Sequence, residues 1–191
     1  MIATERLILR KPRIEDAADL AVAYADPETV RFIGDGSTAT LEEVEEGIEQ
    51  WLERWESWGL SLFSLERRED RRVLGRVGFL LWDPETWEVG GSEVELGWLL
   101  GREHWGHGYA TEAASAVLAH AFGPLGLAEV VAFTVPANLR SRRVMERLGM
   151  TSSPADDFEH PGLLDGHPLR PHVLYRLSQA ARLASRAGGT R

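Results

Sequence analysis

Two glycines one residue apart, Gly106 and Gly108, stand between a strand-like run at 93–100 and a stretch of helix formers at 110–121. The first N–H groups of a helix lack intrahelical acceptors, and together with the helix dipole they attract an anion. Glycine lets a phosphate approach the backbone and permits the positive φ values that a nest of N–H groups requires. The loop therefore suits a pyrophosphate. The alternative is a simple turn into the helix with two incidental glycines.

Two familiar phosphate motifs do not fit this loop. A P-loop requires Gly-Lys-Ser/Thr, which the sequence lacks. A dinucleotide fingerprint requires a third Gly or Ala where Thr111 stands, and an acidic residue near the end of the next strand. The next predicted strand, 129–135, carries its acid, Glu129, at its start instead.

The surrounding elements alternate between strand and helix. Runs rich in β-branched residues and leucine predict strands over 5–11, 60–67, 73–82, 93–100, 129–135 and 172–178. Helical periodicity predicts helices over 14–25, after a capping box at Thr40–Glu43, after the glycine loop, and over 138–149. Residues 153–171, with four prolines and two glycines, predict a long loop, and the tail to Arg191 is expected to be frayed. The order predicts one mixed α/β domain.

Composition excludes several classes of function. The chain has 191 residues, 43% hydrophobic and 27% charged, as in an ordinary globular protein. Its net charge of −9 argues against general nucleic-acid binding, which needs cationic groups for the phosphates. No apolar run is long enough for a membrane span, and the N-terminus does not read as a signal peptide. The absence of cysteine excludes disulfides, thiolate metal sites and a cysteine nucleophile, and it fits a cytoplasmic location.

Two motifs resemble those of a known family. The first is "ELGWLLGREHWGHGYATEA" at 95–113, and the second is "NLRSRRVMERLGM" at 138–150. In this order they resemble the GNAT superfamily of N-acetyltransferases, and within it the branch that acetylates the N-terminal alanine of ribosomal proteins. The opening "ATERLILRKPRIEDAADL" fits that branch too. The resemblance covers about residues 3–178. It implies a single GNAT domain over 1–178, followed by a C-terminal tail at 179–191.

The resemblance implies a fold and a cosubstrate. The fold is a mostly antiparallel sheet of six to seven strands, splayed between the fourth and fifth and flanked by about four helices. The cosubstrate is acetyl-CoA, with its pyrophosphate on the glycine loop and its pantetheine along the strand at 93–100. Gly97 is a plausible bulge site in that strand. The predicted cofactor-binding residues are Trp98, Leu99, Trp105, Gly106, His107, Gly108, Tyr109, Ala110, Thr111 and Asn138. Trp105 occupies a position where the family motif has Gln or Arg, so the loop is expected to bind through its backbone amides.

The implied chemistry is direct attack of a neutral amine on the thioester. Glu95 is the predicted general base, acting directly or through a water; alternatively it is a solvent-facing strand residue, and Glu93 is a weaker candidate on the same strand face. Ser141 is the predicted proton donor to the leaving thiolate, unless its hydroxyl bonds back to a helix carbonyl. A backbone N–H near Trp98 or Leu99 would stabilise the oxyanion. Asn138 and Glu112 could instead serve only as helix caps.

The predicted function is acetyl transfer to a primary amine, either a protein N-terminus or a small amine. The loop at 153–171 is expected to lie near the acceptor. The alternative is a catalytically inactive GNAT-fold module that binds CoA as a sensor or interaction partner. No metal is predicted, because His104 and His107 have no further ligand nearby. Neither nucleic acid nor membrane is an expected partner, and the sequence leaves a homodimer open.

Overall fold

The computed structural model describes residues 1–82 and 94–188. They form two compact units. The first comprises Met1–Leu80 and Gly97–Val117, and the second comprises Leu81–Leu96 and Leu118–Arg191. Two elements are divided between the units: the strand β5 (Val94–Leu100) after Leu96, and the helix α4 (Tyr109–Phe122) after Val117. Glu93 and the segment 83–91 between the predicted strands over 73–82 and 93–100 lie outside the described residues.

The strands of the first unit pair in sequence order and are antiparallel. They are β1 (Ile2–Ala3), β2 (Leu7–Arg10), β3 (Leu62–Arg67) and β4 (Val73–Leu81). The second half of β5 lies against β4 very closely at Gly75, where a Cβ atom would stand 2.1 Å from the carbonyl oxygen of Leu99. The amide of Gly101 continues this contact by donating to the Leu74 carbonyl at 2.9 Å. A glycine at position 75 is therefore required for this approach.

Three helices pack on these strands. A 3₁₀ turn at Ile14–Asp16 leads into α1 (Ala17–Tyr24). Just after the predicted helix over 14–25, Asp26 is the N-cap of a short helix, α2 (Pro27–Val30). The longest helix, α3 (Leu41–Trp58), begins with the predicted capping box, in which Thr40 and Glu43 satisfy each other's backbone N–H. The apolar sides of α1 and α3 pack with β4 in one buried cluster, formed by Ala17, Leu20, Val44, Ile48 and Val73.

The second unit is built around β6 (Glu129–Thr134). β6 pairs with the long strand β9 (Pro171–Ser178) in antiparallel fashion through six register pairs, and with β5 in parallel at Glu95 and Val131. Between β6 and β9 the chain forms α5 (Leu139–Arg147), β7 (Thr151–Ser152), a 3₁₀ turn (Pro154–Asp156) and β8 (Phe158–Glu159). Both short strands also pair with β9.

The predicted fold class is confirmed as mixed α/β with mostly antiparallel pairing. In the described parts of the chain β5–β6 is the parallel pair, and its one register pair agrees with the predicted splay between the fourth and fifth predicted strands. Two expectations need correction. The loop at 153–171 contains β8, because its backbone pairs with β9 at His172 and Pro171. The tail forms a helix, α6 (Gln179–Gly188), because Gln179 anchors it by donating from Nε2 to the Phe122 carbonyl at 2.7 Å.

No helix in the described ranges is long and apolar enough to cross a membrane.

Candidate active site

The glycine loop has the backbone conformation that its sequence predicts. Gly106 has φ +81° and Gly108 has φ +79°, both in the left-handed region that favours glycine. Helix α4 follows at once, and its first hydrogen bond runs from the Glu112 amide to the Gly108 carbonyl at 3.0 Å. Among the described residues, no acceptor takes a hydrogen bond from the amides of Gly106, His107 or Gly108. These N–H groups are available to an anion.

Arg6 braces this loop from the first unit's N-terminal segment. Its Nη1 donates to the His107 carbonyl at 2.9 Å, and its Nη2 pairs with Glu112 Oε2 at 2.6 Å. Its guanidinium also lies 4.7 Å from the centre of the Tyr109 ring. Sequence reasoning missed Arg6, because no local pattern links position 6 to a loop about a hundred residues later.

Glu112 does more than cap its helix. Its Oε1 accepts from Thr4 Oγ1 at 2.6 Å and from the Arg6 amide at 3.0 Å. Burial opposes ionisation of this carboxyl, but the hydrogen bonds from Thr4 and Arg6 outweigh it and hold the Glu112 pKa below its usual value. The first turn of α4 is therefore tied to the segment before β2, and the loop that it ends is held in place.

The other predicted residues of the loop differ in exposure. Trp105 is half-buried and donates from Nε1 to the Leu100 carbonyl at 2.9 Å. His107 is exposed and stacks on Tyr109 with ring centres 5.6 Å apart. Ala110 and Thr111 are half-buried in the first turn of α4. The neighbouring His104 is buried, and burial lowers its pKa. In the described ranges no three His, Asp or Glu side chains converge as a metal ion would require.

In the β5 part of the first unit, Trp98 is half-buried whereas the Leu99 side chain is buried. Leu99 packs in a small cluster with Ala23 and Val30. Its side chain therefore belongs to the core, and a contact with a cofactor would have to come from its backbone. The use of an N–H group at Trp98 or Leu99 stays a prediction.

Glu95 is a buried residue of β5 and not a solvent-facing one. Its side chain is 7% exposed, and its Oε2 accepts a hydrogen bond from Trp82 Nε1 at 2.9 Å. Trp82 directly follows β4, so two neighbouring segments of the second unit supply the carboxylate and its donor. A buried carboxylate needs such a donor, because an unpaired one would carry the full cost of desolvation.

Trp82 belongs to a group of rings that we call the aromatic cluster, formed by Trp82, Phe133, Phe158, His160 and His172. The indole lies 5.6 Å from the Phe133 ring and 5.3 Å, edge to face, from the His160 ring. His160 and His172 lie 5.0 Å apart between ring centres. Burial, reinforced by His172, lowers the pKa of His160 to about 4, and burial also lowers the pKa of His172. Both imidazoles are therefore neutral at physiological pH.

Asn138 and Ser141 meet at the start of α5. Asn138 is the N-cap, and its Oδ1 accepts from the Ser141 amide at 3.2 Å. Its Nδ2 donates to Ser141 Oγ at 3.1 Å and to Thr134 Oγ1 at 2.9 Å. The capping role is therefore confirmed. Within the described part of the chain the partner of Ser141 Oγ is this amide and not a helix carbonyl, so the hydroxyl keeps its own proton to donate.

The C-terminal half of the second motif is structural. Gly149 follows the C-cap Leu148 and has φ +80°, which glycine adopts readily at this C′ position. The Met150 amide closes the helix end by donating to the Met145 carbonyl at 3.1 Å. Glu146 accepts a hydrogen bond from the Tyr175 hydroxyl on β9 at 3.1 Å. Sequence reasoning did not foresee this contact, which joins the motif helix to the sheet.

The aromatic cluster with Glu95 and the Asn138–Ser141 pair lie on opposite faces of β6. The Phe133 ring belongs to the aromatic cluster beside Trp82 and Glu95, whereas the next residue, Thr134, bonds to Asn138. Successive strand residues point to opposite sides of a sheet. Val131 pairs with Glu95 and stands three residues before Thr134, a distance of roughly 10 Å along the strand. The Glu95 carboxylate and the Ser141 hydroxyl, whose oxygen accepts from Asn138 Nδ2, thus lie on opposite faces of β6.

Comparisons with known proteins agree with this geometry. The family model described as an acetyltransferase (GNAT) domain matches residues 6–151. The N-acetyltransferase p20 of Bacillus licheniformis, itself uncharacterized, is 30% identical over 161 residues, which cover 84% of this chain and 83% of p20.

Two solved structures have similar folds. An acetyltransferase from Agrobacterium tumefaciens is 29% identical, with a TM-score of 0.70 and 92% of each chain covered. RimL, a ribosomal L7/L12 α-N-protein acetyltransferase solved with coenzyme A, is 13% identical, with a TM-score of 0.74, 92% of this chain and 95% of RimL covered. The match over most of its length, together with the two motifs, shows that the chain belongs to the GNAT family of acetyltransferases.

Proposed function

We propose that this acetyltransferase moves the acetyl group of acetyl-CoA directly onto a primary amine. The observation that carries the proposal is the arrangement around β6, with buried Glu95 on one face and the Ser141 hydroxyl on the other. Acyl transfer from a thioester to an amine is helped by a base for the amine and a proton donor for the leaving thiolate. The two faces of β6 offer one of each.

The proposed cofactor contacts begin at the glycine loop. The pyrophosphate of acetyl-CoA binds the amides of 106–111. Two observations support this contact: the left-handed glycines, and the amides of 106–108 that donate to no described acceptor. Trp105, His107, Tyr109, Ala110 and Thr111 surround it. Pantetheine runs along the backbone at Trp98 and Leu99, and Asn138 is a further proposed cofactor contact. RimL, which shares the fold, was solved with coenzyme A.

The proposed reaction forms one bond and breaks one. The amine nitrogen bonds to the thioester carbonyl carbon, and the carbon–sulfur bond breaks as CoA leaves. Glu95 takes the proton that the amine loses, directly or through a water, and Ser141 gives a proton to the departing thiolate. A β5 amide near Trp98 or Leu99 stabilises the oxyanion that forms between these steps. With no cysteine in the chain, no covalent cysteine intermediate is involved.

The proposed acceptor is a protein N-terminus or a small amine such as a polyamine, an amino acid or an antibiotic. The net charge of −9 and the acidic outer face of α3 favour a cationic acceptor through long-range attraction. We propose further that the segment 153–171 lies beside the acceptor, because its His160 contacts the tryptophan that holds Glu95. We place the enzyme in the cytoplasm, as a monomer or a homodimer.

The alternative, a CoA-binding module without catalysis, is not favoured, because the relatives are named N-acetyltransferases. The test is a pair of measurements. Release of CoA from acetyl-CoA is followed with a panel of N-terminal peptides, polyamines and amino acids, and CoA binding is followed by calorimetry. We expect amine-dependent release together with binding. Binding without release for every amine would contradict the proposal and restore the alternative.

A further inference from the structure

The Glu95 carboxylate accepts a hydrogen bond from a donor that lies on another segment. Trp82 Nε1–H is 2.9 Å from Glu95 Oε2, and the carboxylate is 7% exposed. Tryptophan can only donate at this nitrogen, so the bond favours the ionised carboxylate, which a base must be before it accepts a proton. The bond also fixes the direction in which the carboxylate faces.

The indole is in turn fixed by the segment 153–171. His160 contacts it edge to face at 5.3 Å, and the His160 amide bonds to the Arg170 carbonyl at 2.8 Å. His160 Nδ1 accepts from the Gly162 amide at 3.1 Å, which locks the ring and places its proton on Nε2. Phe133 packs on the indole at 5.6 Å. The ring that orients Glu95 is therefore held by the strand β6 and by a segment that we expect beside the acceptor.

We propose that Trp82 is the positioning residue of Glu95, and that His160 makes the segment 153–171 the support that keeps Trp82 in place. The inference rests on the proposed role of Glu95 as the base. Trp82 transfers no proton: it keeps its N–H throughout, while the carboxylate accepts the amine proton. A substitution at 160 then changes proton transfer at Glu95 through the indole, without touching Glu95 itself.

Besides Glu95, the described titratable ring in contact with the indole is His160. His172 lies behind that ring, and its own neighbours are Glu159 and the Arg170 carbonyl. Burial lowers the pKa of His160 to about 4. Between pH 6 and pH 9, therefore, a change in the pH profile caused by a substitution at Trp82 does not report on the titration of His160.

The test compares two tryptophans that each donate one hydrogen bond from the indole. Trp82→Phe removes the donor to Glu95 and keeps an aromatic ring. Trp55→Phe is the matched control, because Trp55 Nε1 donates to the Leu62 carbonyl at 2.8 Å in the other unit. We expect W82F to lower kcat by about 10-fold and to move the acidic limb of the kcat profile up by about one pH unit, since a carboxylate that loses a donor is harder to ionise. His160→Ala should shift the limb in the same direction.

A second measurement does not require an acceptor. The Glu95 carboxyl carbon is followed by ¹³C NMR as pH changes, with Glu95→Gln used to assign its signal. We expect the midpoint to move upward in W82F and to stay in place in W55F. An unchanged midpoint in folded W82F would overturn the inference.

The double variant W82F/E95Q separates the two proposals. If Trp82 acts through Glu95, W82F has no further effect on kcat in the E95Q background. Full activity of E95Q would instead refute the proposed base. Impaired E95Q together with W82F that behaves like W55F would leave the base intact and refute the positioning role.

Discussion

Arg6 and Glu112 stand 106 positions apart in the chain, yet the guanidinium Nη2 and the carboxylate Oε2 meet at 2.6 Å. Arg6 also donates to the His107 carbonyl. The shape of the glycine loop thus depends on a side chain from the N-terminal segment.

Arg6→Ala should therefore weaken CoA binding. We expect a Kd about 10-fold higher, because the variant removes hydrogen bonds that together are worth on the order of 1–2 kcal/mol. Arg68→Ala is the control, since Arg68 bonds to the carbonyls of Thr4 and Glu5 and not to the loop. Calorimetric titration with CoA measures both. Equal affinities for the two variants would show that the brace does not shape the site.

Gly108→Val should abolish CoA binding. Gly108 has φ +79°, which a β-branched residue adopts only under strain, and a side chain there blocks the approach of a phosphate to the amides. Gly126→Val is the control, because Gly126 also has a left-handed φ, +63°, and belongs to a different turn. We expect a similar drop in Tm for both variants and a loss of CoA binding for G108V alone. Unchanged CoA affinity in folded G108V would refute the proposed pyrophosphate site.

Glu95→Gln should lower the rate most at low pH. Without the base, attack depends on the amine fraction that is already neutral, and this fraction rises tenfold per pH unit below an amine pKa of about 8. The deficit at pH 7 should be about 10²–10⁴-fold and should shrink toward pH 9. Ser141→Ala should show no such rescue, since it acts on the leaving thiolate. A deficit in E95Q that is equal at all pH values would mean that Glu95 orients the acceptor.

Two substitutions of Asn138 should separate its effect on the free energy of unfolding from its effect on the rate of acetyl transfer. Asn138→Ala removes the N-cap of α5 and should cost about 1 kcal/mol of unfolding free energy in a urea titration. Asn138→Asp keeps a capping oxygen, so its stability should stay near wild type. Both variants lose the amide that donates to Ser141 Oγ, and both should transfer acetyl groups more slowly. A wild-type rate in N138D would show that this donor is dispensable.

His160 should make the protein less stable in acid. Its pKa is lowered from 6.5 to about 4 in the folded state, so the unfolded chain binds more protons between these values. The contribution of neutral His160 to the free energy of unfolding is fully present above about pH 6.5 and is lost as pH falls toward 4. Urea unfolding at a series of pH values should show a smaller acid loss for His160→Phe than for wild type, by roughly 2 kcal/mol at pH 4. Parallel curves would contradict the lowered pKa.

The sequence predicts those parts of the fold that depend on residues close to one another in the chain. Thr40 and Glu43 form their capping box, and Asn138 and Gly149 bound α5, because each signal acts within one turn of helix. The same holds for the two left-handed glycines of the loop.

The parts that sequence reasoning missed are contacts between distant segments. Arg6 with Glu112, Trp82 with Glu95 and Tyr175 with Glu146 each join side chains from different elements. Nothing in the spacing of these residues specifies the pairing, which follows from the register of the strands that carry them. The C-terminal helix was missed for a similar reason, since it is anchored on the Phe122 carbonyl at the end of α4.

A substitution at Gly75 would displace part of β5, the strand along which we expect pantetheine to run. Because a single methyl group at this position would stand 2.1 Å from the Leu99 oxygen, the spacing between β4 and β5 is set by a hydrogen atom. Gly75→Ala would force the Leu99 carbonyl to retreat by more than an ångström, and the amides of that stretch would move with it. A one-carbon change at Gly75 would therefore test whether the position of these amides governs the acetyl-CoA binding that we propose.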